Sequence, residues 1–373
     1  MSNVKCPVCG GSMTKYGKNR SGTQRWQCKS CKATKTNKID NSAKLLKQFL
    51  RWLFSRQRQR DLPGGGRTFR RKCAQFWRIW PLAPITGEIH HIVFVDGIYL
   101  ARNVVILIAS TDEYVIGWYI ARSENARSWT SLMSKIAPPD IVVTDGGTGF
   151  EKARRKIWPN TRVQRCVFHA FNQVKRMTTT RPKLEAGVEL YGLAKELLHI
   201  KTLKEADTWI AAYRLWCEIW NEFLEEKTFY DNGKWDYTHE RLRCARGSLN
   251  RLINKDVLFT YLDPSLVLEG SIPATNNYIE GGVNAQLRAM LRDHRGLSLM
   301  RRAKAVFWWC YAHSEAPMSA SEILKTMPTD EDIEELYQSQ IYNPLKSEGP
   351  KEWGDGLVWA ELRHALPWRV EWD

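Results

Sequence analysis

The chain has 373 residues, 43% hydrophobic and 26% charged, with a net charge of +16, a composition that excludes a disordered chain and leaves room for two or three domains. No apolar run is long enough to span a bilayer and no leader-like segment opens the sequence, so the reading is a cytoplasmic protein without a membrane partner. Residues 1–80 carry 20 Lys/Arg against only Asp40 and Asp61, while the remainder carries 36 against 38; a basic first fifth on a near-neutral body is the footprint of nucleic-acid binding.

In chain order, Cys6 and Cys9 form one Cys-x2-Cys pair, and Cys28 and Cys31 form a second after 18 residues. Four thiolates at that spacing suit a closed, tetrahedral structural Zn2+ site. Trp26 and Tyr16 are the expected core of this small ribbon. A helix over 43–54 follows, capped by Asn41 or Ser42, with Leu45, Leu46, Phe49, Leu50 and Leu53 as its apolar stripe. A glycine-rich break over 61–66 precedes a second amphipathic helix carrying Phe69, Cys73, Phe76, Trp77 and Trp80, ended by Pro81. Arg67, Arg70, Arg71 and Arg78 decorate its exposed side, as in a helix-turn-helix DNA reader.

Beyond residue 88 the pattern turns to strands, expected over 90–96, 103–110, 114–121, 141–144 and 162–166, with helices from Asn125 and over 150–158. Two of these strands end on Asp–Gly, at Asp96 and at Asp145. The order βββαβαβ resembles the ribonuclease-H-like fold, whose first and fourth strands are neighbours, so that the two aspartates would meet. Residues 182–262 read as almost wholly helical. At Asn276 a helix resumes, with Ile279, Val283, Leu287 and Met290 at buried spacing and with Asn277 and Glu280 on another face. Gly281 and Gly282 each cost about 1 kcal/mol there relative to Ala. A close DNA backbone or a local kink would explain them. Arg288 and Arg292 continue the basic stretch. Three convergent carboxylates in a basic protein point to a divalent-cation site acting on nucleic acid. Singly, each has an ordinary turn or surface reading among 40 acids. Glu269 is the nearest rival to Glu280.

With these residues in hand, the chain resembles Mutator-like bacterial insertion-sequence transposases of the branch with an N-terminal zinc ribbon. The resemblance runs through the Cys-x2-Cys pairs, Val95–Asp96–Gly97, Thr144–Asp145–Gly146, the Cys-x2-His motif of Cys166 and His169, and Asn–Tyr–Ile–Glu ending at Glu280. It implies an Asp–Asp–Glu triad of Asp96, Asp145 and Glu280 holding Mg2+ or Mn2+ for two-metal phosphoryl transfer. Cys166, His169 and Asn277, the asparagine of the resemblance being Asn276 or Asn277, would support the site. A homodimer or higher oligomer would act on double-stranded DNA, near the nucleoid. Expected boundaries are 1–40 for the zinc ribbon and 41–82 for the helical DNA-binding segment. The α/β core would occupy 88–181 and 271–315, interrupted by an α-helical insertion over 182–270, with a tail over 316–373. Two alternatives stay open: a nuclease or resolvase of the same fold, or an inactive or domesticated zinc-ribbon DNA-binding protein. A Cys-x2-His pair also looks like half of a second zinc site. The residues favour a metal-free role, because no matching Cys/His pair follows it.

Overall fold

The computed structural model describes residues 4–36, 40–62, 64–267, 270–340, 354–355 and 362. Glu269 and most of the tail beyond 340 lie outside the described residues. The chain begins with an antiparallel sheet of β1 (Met13–Lys18), β2 (Gln24–Cys28) and β3 (Thr34–Thr36). Cys6, Met13 and Cys28 form its buried centre, with Trp26 packed against them. Tyr16, expected in that core, is instead half exposed beneath the Arg25 guanidinium, because it lies on the outward face of β1.

Helices α1 (Ser42–Leu53) and α2 (Gly65–Cys73) follow. The cap of α1 differs from expectation: Asn41 makes no capping bond, and Asp40 Oδ1 accepts the Ser42 N–H at 2.8 Å. The second amphipathic stretch is not one continuous helix. After Cys73 it tightens into a 3-10 turn over Ala74–Arg78, which carries Phe76 into the core.

The body is mixed α/β. Strands β4 (Ile92–Ala101), β5 (Val104–Ser110) and β6 (Val115–Ala121) form an antiparallel meander. After α3 (Ala126–Met133), β7 (Ile141–Thr144) returns parallel to β4. Then α4 (Thr148–Ile157) leads to β8 (Arg162–Arg165), parallel to β7. The sheet order is therefore β6-β5-β4-β7-β8. The expected adjacency of first and fourth strands is what the hydrogen bonds give, with Val95 opposite Thr144.

Alternation along β4 decides which layer each side chain meets. Phe94 and Ile98 face a core shared with α1, α2 and the later helices, whereas Val93 and Val95 face α3 and α4. Beyond β8 come α5 (Val167–Thr178), α6 (Glu185–Glu196), α7 (Leu203–Ile219), α8 (Asn221–Glu225) and α9 (Glu240–Asn254), packed around Leu190, Trp209, Tyr213 and Trp216. The expected wholly helical segment is interrupted by a hairpin of β9 (Lys227–Phe229) and β10 (Trp235–Tyr237). Its alternating aromatic residues suit strands, and its turn contains Gly233 at φ +76°. A short helix α10 (Pro264–Val267) precedes the return to the sheet.

That return runs through a π-helical stretch over Tyr278–Asn284, then α11 (Ala285–Asp293) and α12 (Leu299–Ala312), which covers one face of the sheet. Helices α13 (Ala320–Thr326) and α14 (Asp330–Gln340) and the two-residue strand β11 (Gly354–Asp355), beside β6, complete the described elements. The fully buried Lys304 of α12 is held by Asp330 and the Trp77 carbonyl, tying the end of the N-terminal helical segment to the body.

Candidate active site

Two groups of metal-ligating side chains stand out, and they are built differently. In the first, Cys6 Sγ lies 3.5 Å from Cys31 Sγ, Cys9 Sγ lies 3.5 Å from Cys28 Sγ, and Cys9 and Cys31 are 3.4 Å apart. A tetrahedron with zinc–sulfur bonds of about 2.3 Å has edges of about 3.8 Å, so the thiols already stand almost at ligand separation. Gly11 lets the loop close on the sulfurs: a Cβ there would touch Cys9 and Cys28 at 3.4 Å. The backbone N–H of Cys31 holds the Cys28 thiol down to about 6, while its bonds to Cys9 and Cys6 push the Cys31 thiol up. The tetrad can hold a metal ion.

The second group is assembled across the fold. The strand expected to end on Asp96 instead runs on to Ala101, because Asp96 and Gly97 pair with Ile108 and Leu107 of β5; the parallel pairing of β4 and β7 sets this mid-strand Asp96 beside Asp145, which follows the end of β7. Asp96 Oδ1 accepts the Gly97 N–H at 2.9 Å and Oδ2 accepts Asn284 Nδ2 at 2.7 Å. Burial, with Asp145 and Glu280 adding repulsion, raises Asp96 to about 6. A fourth carboxylate, Glu124, completes the group. It follows β6, just before the Asn125 cap of α3, and lies so close over Gly97 that a Cβ there would have no room. Burial and then the charges of Asp145 and Asp96 raise Glu124 to about 7. Sequence reading missed it, because a lone Glu before a helix cap carries no signature. Only the β5–β6 register brings the chain after Ala121 back beside Tyr99.

Glu280 is delivered by the chain returning from the helices. Gln164 anchors that return, bonding the Leu258 carbonyl at 3.1 Å and the Tyr261 N–H at 2.9 Å. The buried Cys166 Sγ then accepts the Asn276 N–H at 3.2 Å, and Asn276 Nδ2 donates to the Val95 carbonyl at 3.1 Å. His169 Nδ1 lies 3.3 Å from Glu280 Oε1, and Cys166, His169 and Glu280 offer donor atoms within 4.8 Å of one another. Burial raises the pKa of Glu280 against the favourable charge of His169, while bonding to Cys166 leads the upward shift of His169. Cys166 and His169 therefore sit beside Glu280, at the edge that carries Asp145.

The asparagines are a correction. Asn277, expected to face the site, is exposed beside Gly281; the asparagines brought to the carboxylates are the fully buried Asn276 and Asn284. Asn284 reaches Asp96 because it lies about one helical turn beyond Glu280, at the end of the π-helical stretch. The expected DNA-contacting arginines are all exposed, at Arg67, Arg70, Arg71, Arg78, Arg288 and Arg292. Arg78 is already paired with Glu331, and Arg70 bonds Gln59 at 3.3 Å, whereas Arg288 is close enough to favour the Glu280 carboxylate.

Fold and site together define a mixed α/β protein with an open carboxylate centre and a separate cysteine tetrad. Residues 88–254 match the family model described as Transposase, Mutator family, a stretch that holds Asp96, Glu124, Asp145, Cys166 and His169 but ends before Glu280. The chain is similar to the transposase for insertion sequence element IS905 of Lactococcus lactis subsp. lactis, 34% identical over 96 residues, which are 21% of this chain and 25% of that protein. It is also similar to a probable transposase for an insertion sequence element of Corynebacterium diphtheriae, 25% identical over 126 residues, 30% of this chain and 37% of the relative. The matches thus span about a quarter and somewhat over a third of these relatives. Over this stretch the chain is similar to Mutator-family insertion-sequence transposases. Among the described residues, no helix is long and apolar enough to cross a membrane.

Proposed function

We propose that this chain is a DNA transposase with a ribonuclease-H-like core, which cuts at the ends of an insertion sequence and joins the freed 3′-OH to target DNA. One observation carries the reading: the β4–β7 pairing and the bond from Asn284 to Asp96 bring Asp96, Asp145 and the turn that carries Glu280 together from far apart in sequence, and there burial first, then the neighbouring carboxylate charges, raise the pKa of Asp96. Such mutual repulsion is relieved by a cation. The donor set fits Mg2+ or Mn2+: hard carboxylate oxygens, with the buried Glu280 Oε1 facing His169 Nδ1 at 3.3 Å but outside hydrogen-bond geometry. Asp96, Asp145 and Glu280 would together hold the catalytic cations. Bound there, the cations supply activation of the attacking oxygen and stabilisation of the leaving 3′ oxygen.

The protein's own groups do the rest. Asn284 and the Gly97 N–H fix the Asp96 carboxylate. Cys166 docks the backbone that carries Glu280, and His169 orients that carboxylate from 3.3 Å. Zn2+ in the Cys6, Cys9, Cys28 and Cys31 tetrad would hold a ribbon over 1–40, which with the segment 41–82 reads the element ends. The core spans 88–181 and 271–315 around the helical insertion 182–270. Pairing two DNA ends calls for at least a dimer. The test joins the DNA that borders the coding frame to a plasmid target with Mg2+ present. Strand transfer by the chain is expected. Cutting without joining would favour the nuclease reading, and neither activity would favour a DNA-binding protein.

A further inference from the structure

Beside Asp145 lies a cationic surface that the proposed chemistry leaves unused. There α4 and α9 face each other across a groove of about 660 Å³, whose inner end is lined by Thr144 and Gly146, on either side of Asp145. Its cations come from three elements: Lys152 on α4, Arg165 at the end of β8, and Arg251 with Lys255 at the end of α9. Lys152, Arg251 and Lys255 are exposed and make no ion pair among the described residues. Arg251 and Lys255, four apart, share one helix face. Arg154 and Arg155 also line the groove but are held by Glu151 at 3.1 and 2.8 Å. At the inner end, Arg165 packs so closely on Gly146 that a Cβ would have no room. Its Nε and Nη1 are buried without a hydrogen-bond partner.

The groove's place in the fold says which ligand it suits. Helices α1 and α2 share their core with α11 and α12, so the N-terminal basic segment lies on the Glu280 side of the carboxylates. The α4–α9 groove lies beyond Asp145, across the β7–β8 edge. The centre therefore sits between two cationic surfaces on different layers. A duplex held by the first and cut at the centre continues towards the second. We propose, resting on the transposase reading, that the α4–α9 groove grips the phosphates of the duplex beyond the cleavage point, through Lys152, Arg165, Arg251 and Lys255. Contacts of this kind carry no sequence information. That suits DNA outside the element, which differs at every insertion.

The test uses the full chain without divalent cation and a fluorescent random-sequence duplex of about 40 base pairs, titrated over a salt series. The variant Arg251→Glu with Lys255→Glu is compared with Lys204→Glu and Arg214→Glu, an equal charge change at exposed positions of α7. The groove pair should weaken binding at least about tenfold and flatten the salt dependence by about two released counterions, while the α7 pair shifts affinity less than about threefold. Matching thermal melts establish that both variants fold. Wild type that binds, with the two pairs behaving alike, overturns the groove. Wild type that fails to bind any duplex overturns the DNA reading itself. Because binding is read without cutting, the result is independent of whether the carboxylates are catalytic.

Discussion

The cysteine tetrad and the carboxylate centre solve opposite problems. The tetrad gathers its donors from residues 6–31 around a core of little more than Cys6, Met13, Cys28 and Trp26, too small to fold without a further link. A cation bound there would be part of the structure, and four sulfurs would leave it no open position. The carboxylates come from β4, β7, the loop before α3 and the π-helical turn, each on a large apolar core. The fold holds them together against their mutual repulsion, so on the proposed function a cation bound there would not be needed for folding and would keep positions for substrate. Removing a ligand should therefore unfold the first site and silence the second.

The largest effect is expected at the second. Asp96→Asn, Asp145→Asn and Glu280→Gln each remove a negative donor at nearly constant shape, and on the proposed mechanism each lowers strand transfer by about a thousandfold or more. Specific DNA binding and the thermal melt of the body should persist, measured by gel shift and calorimetry. Near-normal joining by Glu280→Gln would remove that residue from the triad. Next comes Cys28→Ser. It should cost the roughly one zinc per chain that a metal assay is expected to find in wild type, melt the ribbon, and weaken end-DNA binding about tenfold or more, while the body melts as before.

Glu124 sharpens the contrast between the sites, because it touches the centre without belonging to the expected triad. Glu124→Gln should lower joining about ten- to a hundredfold, the range of a group that orients or adjusts a metal site. The pH dependence follows from the raised carboxylates. Asp96 near 6 and Glu124 near 7 bind more protons in the folded chain than unfolded, so stability without Mg2+ falls as pH rises from about 4 to 7. Asp96→Asn removes that loss and should melt several degrees higher than wild type at pH 8, with little difference at pH 4. Mg2+ must displace the same protons, so its affinity should rise over the same interval.

How much of this was legible in the sequence follows the same division. The tetrad is local, and spacing alone located it. The Asp96–Asp145 pair needed one inference, that β4 and β7 are neighbours, and apolar strand patterns ending on Asp–Gly supported it. Glu124 and Asn284 were not legible, because each acts through a tertiary contact, a meander register and a helical turn that reaches Asp96; Asn276 was one of two candidates, and only its bond to a carbonyl of β4 distinguishes it from Asn277. The β9–β10 hairpin was overlooked because a strongly helical surrounding pattern masked an alternation only three residues long on each strand.

His169 comes next in size. Its ring nitrogen faces Glu280, so His169→Ala should leave the zinc content unchanged and lower joining about tenfold, by loosening that carboxylate. His169→Gln, which keeps a donor, should recover part of the loss. If His169→Ala cost a second equivalent of zinc, then Cys166, His169 and Glu280 would be a metal site in their own right.

The smallest and most local prediction separates two adjacent glycines. Gly281 and Gly282 are both unfavourable in a helix, and from the sequence they are indistinguishable. In the fold they differ. A Cβ on Gly281 would run into Asn277 Oδ1, whereas a Cβ on Gly282 meets nothing within 4 Å. Gly281 thus lets the π-helical turn close tightly enough to aim Glu280 and Asn284 at Asp96, and Gly282 serves no steric purpose there. Gly281→Ala must push Asn277 aside or unwind the turn, so joining should fall several-fold with a small loss of stability. Gly282→Ala should keep full activity and gain about 0.5–1 kcal/mol from the reduced freedom of the unfolded chain. Melting curves and joining rates on the two single variants check this pair. Equal behaviour of the two would mean that the turn adapts to a side chain at either position, and that its wide pitch is not what orients the carboxylate.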